Sequence, residues 1–126
     1  MSVQESCSVT VESGTVTATG SIGICHGRSG EWKLIALAMV PQAALSADAG
    51  NKFVISATQG SDAVVTALDS SAAAHVAQAA QSFTVTGTAG PALEFGATDV
   101  LKITFTETGT ASANCTFVAS FEQVRV

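Results

Sequence analysis

Along most of the chain, apolar and polar residues alternate one for one in short runs separated by turn residues. This period of two marks antiparallel strands with one face buried and one wet. Cys7, Val9 and Val11 fall on one side of the first run, with Ser8, Thr10 and Glu12 on the other. Ser13-Gly14 then predicts a turn, because glycine accepts the positive φ that tight turns need. In the next run Val16, Ala18, Ile22 and Ile24 share a face opposite Thr15, Thr17, Thr19 and Ser21, and the internal Gly20 and Gly23 predict a bulge or bend. A loop follows at His26-Gly27-Arg28-Ser29-Gly30.

Trp32–Val40 is apolar on both sides, with Trp32 and Leu34 on one and Ile35, Leu37 and Met39 on the other. It reads either as a fully buried strand or as a short helix. Pro41 ends it, since proline has no N–H to give a ladder. Residues 42–51 read as a loop with room for one helical turn, closing at Gly50-Asn51, and Phe53–Thr58 with Ala63–Leu68 predicts a hairpin around Gly60-Ser61-Asp62. Asp69–Ala80 supports two readings. Its alanines suit a helix capped by Ser70 or Ser71, while strands on both sides suit a small-residue loop or an edge strand. Ser82–Thr88 sets Phe83 and Val85 inward before a turn at Gly90-Pro91. Asp99–Glu107 places Leu101, Ile103 and Phe105 against Val100, Lys102 and Thr104. After a Thr108-Gly109-Thr110 turn, Cys115, Phe117, Ala119 and Phe121 make the last inward row. Short strands at near-regular spacing, without β-α-β alternation, predict an all-β fold. The expected architecture is an antiparallel, jelly-roll-like β-sandwich of about eight strands with at most one short helix, one domain over residues 1–126.

Composition sharpens this picture. Of the 126 residues 47% are hydrophobic and only 12% charged, the latter about half the usual share. That excludes a disordered chain and leaves little charge to coat a lone monomer. Either apolar surface is covered by a partner or a second copy, or the abundant Thr and Ser do the solvating. The net charge is −5, and the five cations, Arg28, Lys33, Lys52, Lys102 and Arg125, are scattered. Without a basic stripe, nucleic acid and anionic membrane are not expected partners. The start, Met1 to Cys7, lacks a basic segment followed by an apolar run, and Leu34–Val40 is far shorter than the roughly 20 residues of a membrane helix. These features predict a protein made in a cytosol. Cys7, Cys25 and Cys115 are odd in number and without C-x-x-C spacing. They read as buried free thiols, or as one Cys7–Cys115 bridge between terminal strands with Cys25 left over.

Candidates for chemistry are few. Cys25-His26 followed by Glu31 falls short of the H-x-H and carboxylate set of a cupin-type metal site, and a zinc site would have to gather Cys25, His26, His75 and Cys115 from distant places. Ser29 in Gly27-Arg28-Ser29-Gly30 is not a nucleophile elbow. Asp48, Asp62 and Asp69 are turn aspartates without the spacing of a calcium loop. Trp32 is the one side chain on which a sugar ring would stack, yet it opens the most apolar segment and reads as core. No catalytic, cofactor-binding or metal residue is assigned, and the chain is not expected to be an enzyme.

The carboxy-terminal half carries a cadence of its own. Phe95-Gly96-Ala97-Thr98-Asp99-Val100-Leu101 opens a strand that runs through Lys102-Ile103-Thr104-Phe105-Thr106-Glu107, and Thr108-Gly109-Thr110-Ala111 turns into the final apolar strand, Cys115–Val126. This resembles a pattern in bacteriophage virion proteins, the β-sandwich cement or decoration proteins, and also the head domains of phage fibres. The resemblance covers residues 30–126 loosely and 95–122 more clearly, and it carries no functional residue across. It implies a capsid decoration protein on the virion, commonly a homotrimer, which binds the major capsid protein from outside and stabilises the shell. The other implied role is a fibre or spike head that recognises a host receptor or carbohydrate. Residues 1–6, ahead of the first alternating run, are the expected N-terminal arm.

Overall fold

The computed structural model describes residues 5–86 and 93–125. Among these, the chain forms ten strands and no α-helix. They are β1 (Ser6–Val16), β2 (Gly20–Ile24), β3 (Glu31–Pro41), β4 (Lys52–Gln59), β5 (Asp62–Ala63), β6 (Leu68–Asp69), β7 (Gln81–Ser82), β8 (Glu94–Phe95), β9 (Leu101–Thr108) and β10 (Ala113–Arg125). All pairings are antiparallel. The first sheet runs β1-β10-β3-β7 with β8 also on β3; the second runs β2-β9-β4-β5 with β6 also on β4. Short β5 and β6 are two pieces of one broken strand on β4, and β7 and β8 two pieces of one on β3. Counted so, ten strands reduce to eight, four per sheet, in the order of a jelly roll. The expected all-β sandwich is what the chain adopts.

Alternation sets the core. Leu101, Ile103 and Phe105 of β9 and Cys115, Phe117, Ala119 and Phe121 of β10 are all buried, as predicted. Between the sheets the rings of Phe53, Phe105 and Phe117 meet edge to face at 6.1 and 5.8 Å, and Phe95 meets Phe121 at 5.5 Å. Such pairs contribute about 1 kcal/mol each beyond their area.

Three bulges alter the predicted faces. Ser13-Gly14 is not a turn between strands. Both residues stand opposite Cys115 within one continuous β1, as the register steps from Glu12–Thr116 to Thr15–Asn114. Gly14 takes φ 66° there. The chain crosses to the second sheet only at residues 17–19, so Val16 lies in one sheet and Ile22 and Ile24 in the other. Gly20 and Gly23 keep regular register with Phe105 and Lys102, without the expected bulge. The second bulge inserts Ile35 into β3, between Leu34 opposite Phe121 and Ala36 opposite Ser120. Trp32–Val40 is therefore a strand whose Trp32, Leu34, Leu37 and Met39 share the inner face, while Ile35 turns outward. The third inserts Val124 into β10, between Gln123 opposite Trp32 and Arg125 opposite Glu31.

The predicted hairpin after β4 turns at Gly60-Ser61, but Ala63–Leu68 does not continue as one strand. After β5 the Thr66 N–H donates to the Thr84 carbonyl at 2.8 Å and the Thr86 N–H to the Val64 carbonyl at 2.9 Å. Val65 and Val85 form the bridge between them. This segment stitches the β5 side of one sheet to the β7 side of the other. Asp69–Ala80 is a loop of turns, resolving its two readings against the helix. The Asp69 carboxylate takes the Ser71 N–H and hydroxyl at 2.9 and 2.7 Å. Farther on, His75 and Leu45 exchange backbone bonds of 2.9 Å in both directions. Leu45 is thereby drawn into a bridge rather than a helical turn of the 42–51 loop.

A Cys7–Cys115 bridge is excluded by register. Cys7 pairs with Phe121, six residues along β10 from Cys115 (121 − 115), which is about 20 Å at the rise of a strand. A disulfide needs Cα atoms within roughly 7 Å. All three cysteines are free; Cys115 is buried, Cys7 half-buried and Cys25 exposed, so the reading of buried thiols fails at Cys25. The Gly90-Pro91 turn and residues 1–4 of the expected 1–6 arm lie outside the described residues. Ser6 already belongs to β1.

Candidate interaction surface

The structure disperses the residues that chemistry would need together. His26 is buried: its Nε2 lies 2.7 Å from the Phe95 carbonyl, and its Nδ1 accepts the Arg28 N–H at 3.0 Å. Since Nδ1 accepts, Nε2 carries the proton and donates. The ring also lies 5.4 Å from Phe121 and 5.9 Å from Trp32. His26 therefore holds the 26–30 loop against the core. The neighbouring Cys25 thiol donates to the Ala97 carbonyl at 2.7 Å. His75 is elsewhere, 3% exposed beside Leu45, with a buried Nδ1 that has no partner. Burial lowers its pKa from 6.5. Cys115 sits inside the sandwich, its thiol pushed up to about 11 by burial. Among the described residues no three His, Cys, Asp or Glu side chains gather to hold a metal ion.

The other candidates have local duties. Ser29 lends its carbonyl to the Trp32 Nε1–H at 2.9 Å. Trp32 itself is 1% exposed, with the Arg28 guanidinium 5.4 Å over its ring, so no sugar reaches it. Asp48 accepts the Gly50 N–H at 2.8 Å within its turn, and Asp62 opens β5 at the hairpin. Asp69 is held at about 2, first by the Ser71 hydroxyl and N–H and then by Lys52, whose Nζ lies 3.0 Å away. The cations are spread, and three stand near carboxylates: Lys52 beside Asp69, Arg28 3.6 Å from Glu5, and Lys33 in register between Glu122 and Glu94.

Two outer sheet faces remain, and both carry Ser and Thr. On the second sheet Ser21, Thr104 and Ser56 form one row, Thr106 sits beside Val54, and Thr58 beside Lys102. Hydroxyls solvate that face. On the first sheet the rows are Ser8–Ser120–Ala36, Thr10–Val118–Ala38–Ser82 and Glu12–Thr116–Val40. Apart from Glu12 at the margin, these are small and uncharged. At one end of this face the two bulge residues Ile35 and Val124, 43% and 41% exposed, line a shallow cleft of about 150 Å³ with Lys33 and Glu122. Large apolar side chains are thus delivered to the outside by bulges in both central strands. Sequence reading put Ile35 on the wrong face because a bulge in the apolar run Leu34–Val40 leaves no mark on the alternation.

Comparison with protein-family models, with curated proteins and with solved structures returned no match.

Proposed function

We propose that the protein is a structural virion component, a capsid decoration protein that docks on the outer surface of a phage shell through the outer face of its first sheet. The observation that carries this reading is the pair of large apolar side chains raised on that face. Both outer faces carry Ser and Thr, but on the first sheet Ile35 and Val124 stand exposed at one end, around a shallow cleft shared with Lys33 and Glu122. Ile35 and Val124 supply an apolar contact and Lys33 and Glu122 a polar margin beside it, and the jelly roll behind them keeps the face pre-organised. The sequence resemblance to decoration proteins points the same way. The fibre-head reading loses its best sugar platform, since Trp32 is inside the fold.

Co-sedimentation of the purified protein with assembled shells of the phage that encodes it tests this reading. Saturable binding to shells, with none to host cells, is expected. Binding to host cells alone would transfer the protein to the receptor-binding class, and binding to neither would end the proposal.

A further inference from the structure

The two sides of the sandwich are finished differently. On the β5/β7 side residues 64–66 and 84–86 stitch the sheets together. On the other side β1 and β2 are edge strands, and β1, eleven residues long, has β10 as its one partner among the described residues. The Gln123 N–H donates to the Glu5 carbonyl at 2.9 Å, which makes Glu5–Gln123 a hydrogen-bonded pair. By the alternation of an antiparallel ladder, Cys7, Val9 and Val11 then also turn their N–H and C=O groups toward β10. Ser6, Ser8, Thr10 and Glu12 turn theirs to the open side. Lys, Pro and an early bulge are the usual devices that blunt such an edge, and none occurs between Ser6 and Glu12. The inward residues of this run, Cys7, Val9 and Val11, are only half-buried, whereas their neighbours Phe117, Ala119 and Phe121 on β10 are fully covered.

We infer that β1 pairs edge to edge with β1 of a second copy of this chain, antiparallel, about a twofold axis at Val9. The occupant follows from symmetry and charge. An antiparallel edge is complementary to itself, because the twofold sets every N–H opposite a C=O. The uninterrupted register runs from Ser6 to Glu12 and stops at the Ser13-Gly14 bulge, so Val9 is its midpoint. That centre sets Ser8 against Thr10 and Ser6 against Glu12 of the second copy. The one charge in the run then meets a hydroxyl, whereas an axis at Glu12 would oppose two carboxylates. Both sheets join into one, and each copy's Val9 and Val11 gain the cover they lack. This goes beyond capsid docking and does not depend on it; it replaces the threefold assembly implied by the resemblance with a twofold one.

The test uses the full chain. Light scattering is expected to give twice the 12.6 kDa chain mass. Thr10→Pro removes an N–H that faces the open side and not β10, so this variant is expected to keep its β-type circular-dichroism spectrum and lose the dimer. In a Cys7→Ser, Cys25→Ser background, Val9→Cys is expected to oxidise to a covalent dimer. Val9 would face its own copy in a non-hydrogen-bonded pair at about 4.5 Å between Cα atoms, within disulfide reach. Val11→Cys in that background, offset from its copy by four residues, is expected not to. A single-chain or three-chain mass for the unmodified protein would overturn the proposal. A folded Thr10→Pro that remains dimeric, or cross-linking through position 11 instead of 9, would do the same.

Discussion

The Ser13 hydroxyl and the Cys115 backbone N–H meet at 2.9 Å across the bulge of β1. The two bulged residues leave Cys115 without a regular ladder partner, and the side chain takes over where the backbone has stepped aside. The same hydroxyl donates a hydrogen bond to the Gly14 carbonyl at 2.8 Å, so one serine satisfies both a donor and an acceptor. Ser13→Ala strands the Cys115 N–H in the interior. The expected cost is about 1–3 kcal/mol, the penalty of a buried donor left without a partner. Urea denaturation checks it: the midpoint falls at unchanged slope, and Ser13→Thr, which keeps the hydroxyl, recovers most of the loss.

Gly109 makes the turn into β10 with φ 76°. A β-carbon there would run into the Gly50 carbonyl oxygen and the Asn51 side chain. Asn51 cannot easily retreat, because its Oδ1 accepts the Thr110 N–H and hydroxyl at 2.9 and 3.1 Å. Gly109→Ala combines a left-handed backbone, which costs a residue with a side chain roughly 1–2 kcal/mol, with a contact against backbone that has no flexible end. Thermal unfolding should place this variant below Gly60→Ala, whose glycine has similar φ but open space around it.

How much of this was legible in the sequence depends on whether alternation survives along a run. Leu101, Ile103 and Phe105, and again Cys115 through Phe121, keep strict period two, because the residues inserted opposite β10 lie in β1 and β3 and not in this run, and the core could be read directly from them. Where a residue is inserted, the rule inverts. Ile35 shares its parity with Leu37 and Met39 and was grouped with them, yet the bulge sends it to the outside and sets Leu37 and Met39 with Leu34. Asp69–Ala80 has helical propensity in its alanines, but Asp69 spends its carboxylate on Ser71 and His75 is tied to Leu45. Long-range pairing overrides propensity there. The outward placement of Ile35 could not have been read, because it is an inserted residue in an apolar run, whereas Val124 keeps the outward parity of Ser120 and Glu122.

Acid is expected to destabilise the fold in two stages. Burial lowers the His75 pKa from 6.5, so the unfolded chain binds a proton that the folded chain resists. Stability is therefore full above about pH 6.5 and falls as pH drops through the interval between the unfolded and folded values. Asp69, lowered from 3.8 to about 2, contributes stability that is complete above pH 3.8 and is lost between there and about pH 2. The melting temperature recorded from pH 8 to pH 2 should fall in both windows. His75→Leu removes the first stage and leaves the second, since the leucine neither titrates nor strands the imidazole Nδ1. A variant profile that keeps the unmodified protein's slope just below pH 6.5 would refute the assignment to His75.

On the proposed function, Ile35 separates docking from folding. Its side chain is 43% exposed on the outer face, while its neighbour Leu37 is buried in the core. Leu37→Ala creates a cavity and is expected to cost about 2–5 kcal/mol. Ile35→Glu adds a charge where water already reaches, between Lys33 and Glu122 around the cleft, and its effect on stability should stay within roughly 1 kcal/mol. On the proposed function, the same substitution buries an unpaired carboxylate against the shell, for which the expected loss is several kcal/mol of binding, a hundredfold or more in affinity. Denaturation midpoints and shell-binding isotherms measured on both variants check the split. Ile35→Glu should bind poorly while folding well, and Leu37→Ala should lose stability while its remaining folded fraction binds normally. Undiminished shell binding by Ile35→Glu would remove the first sheet's outer face from the interface.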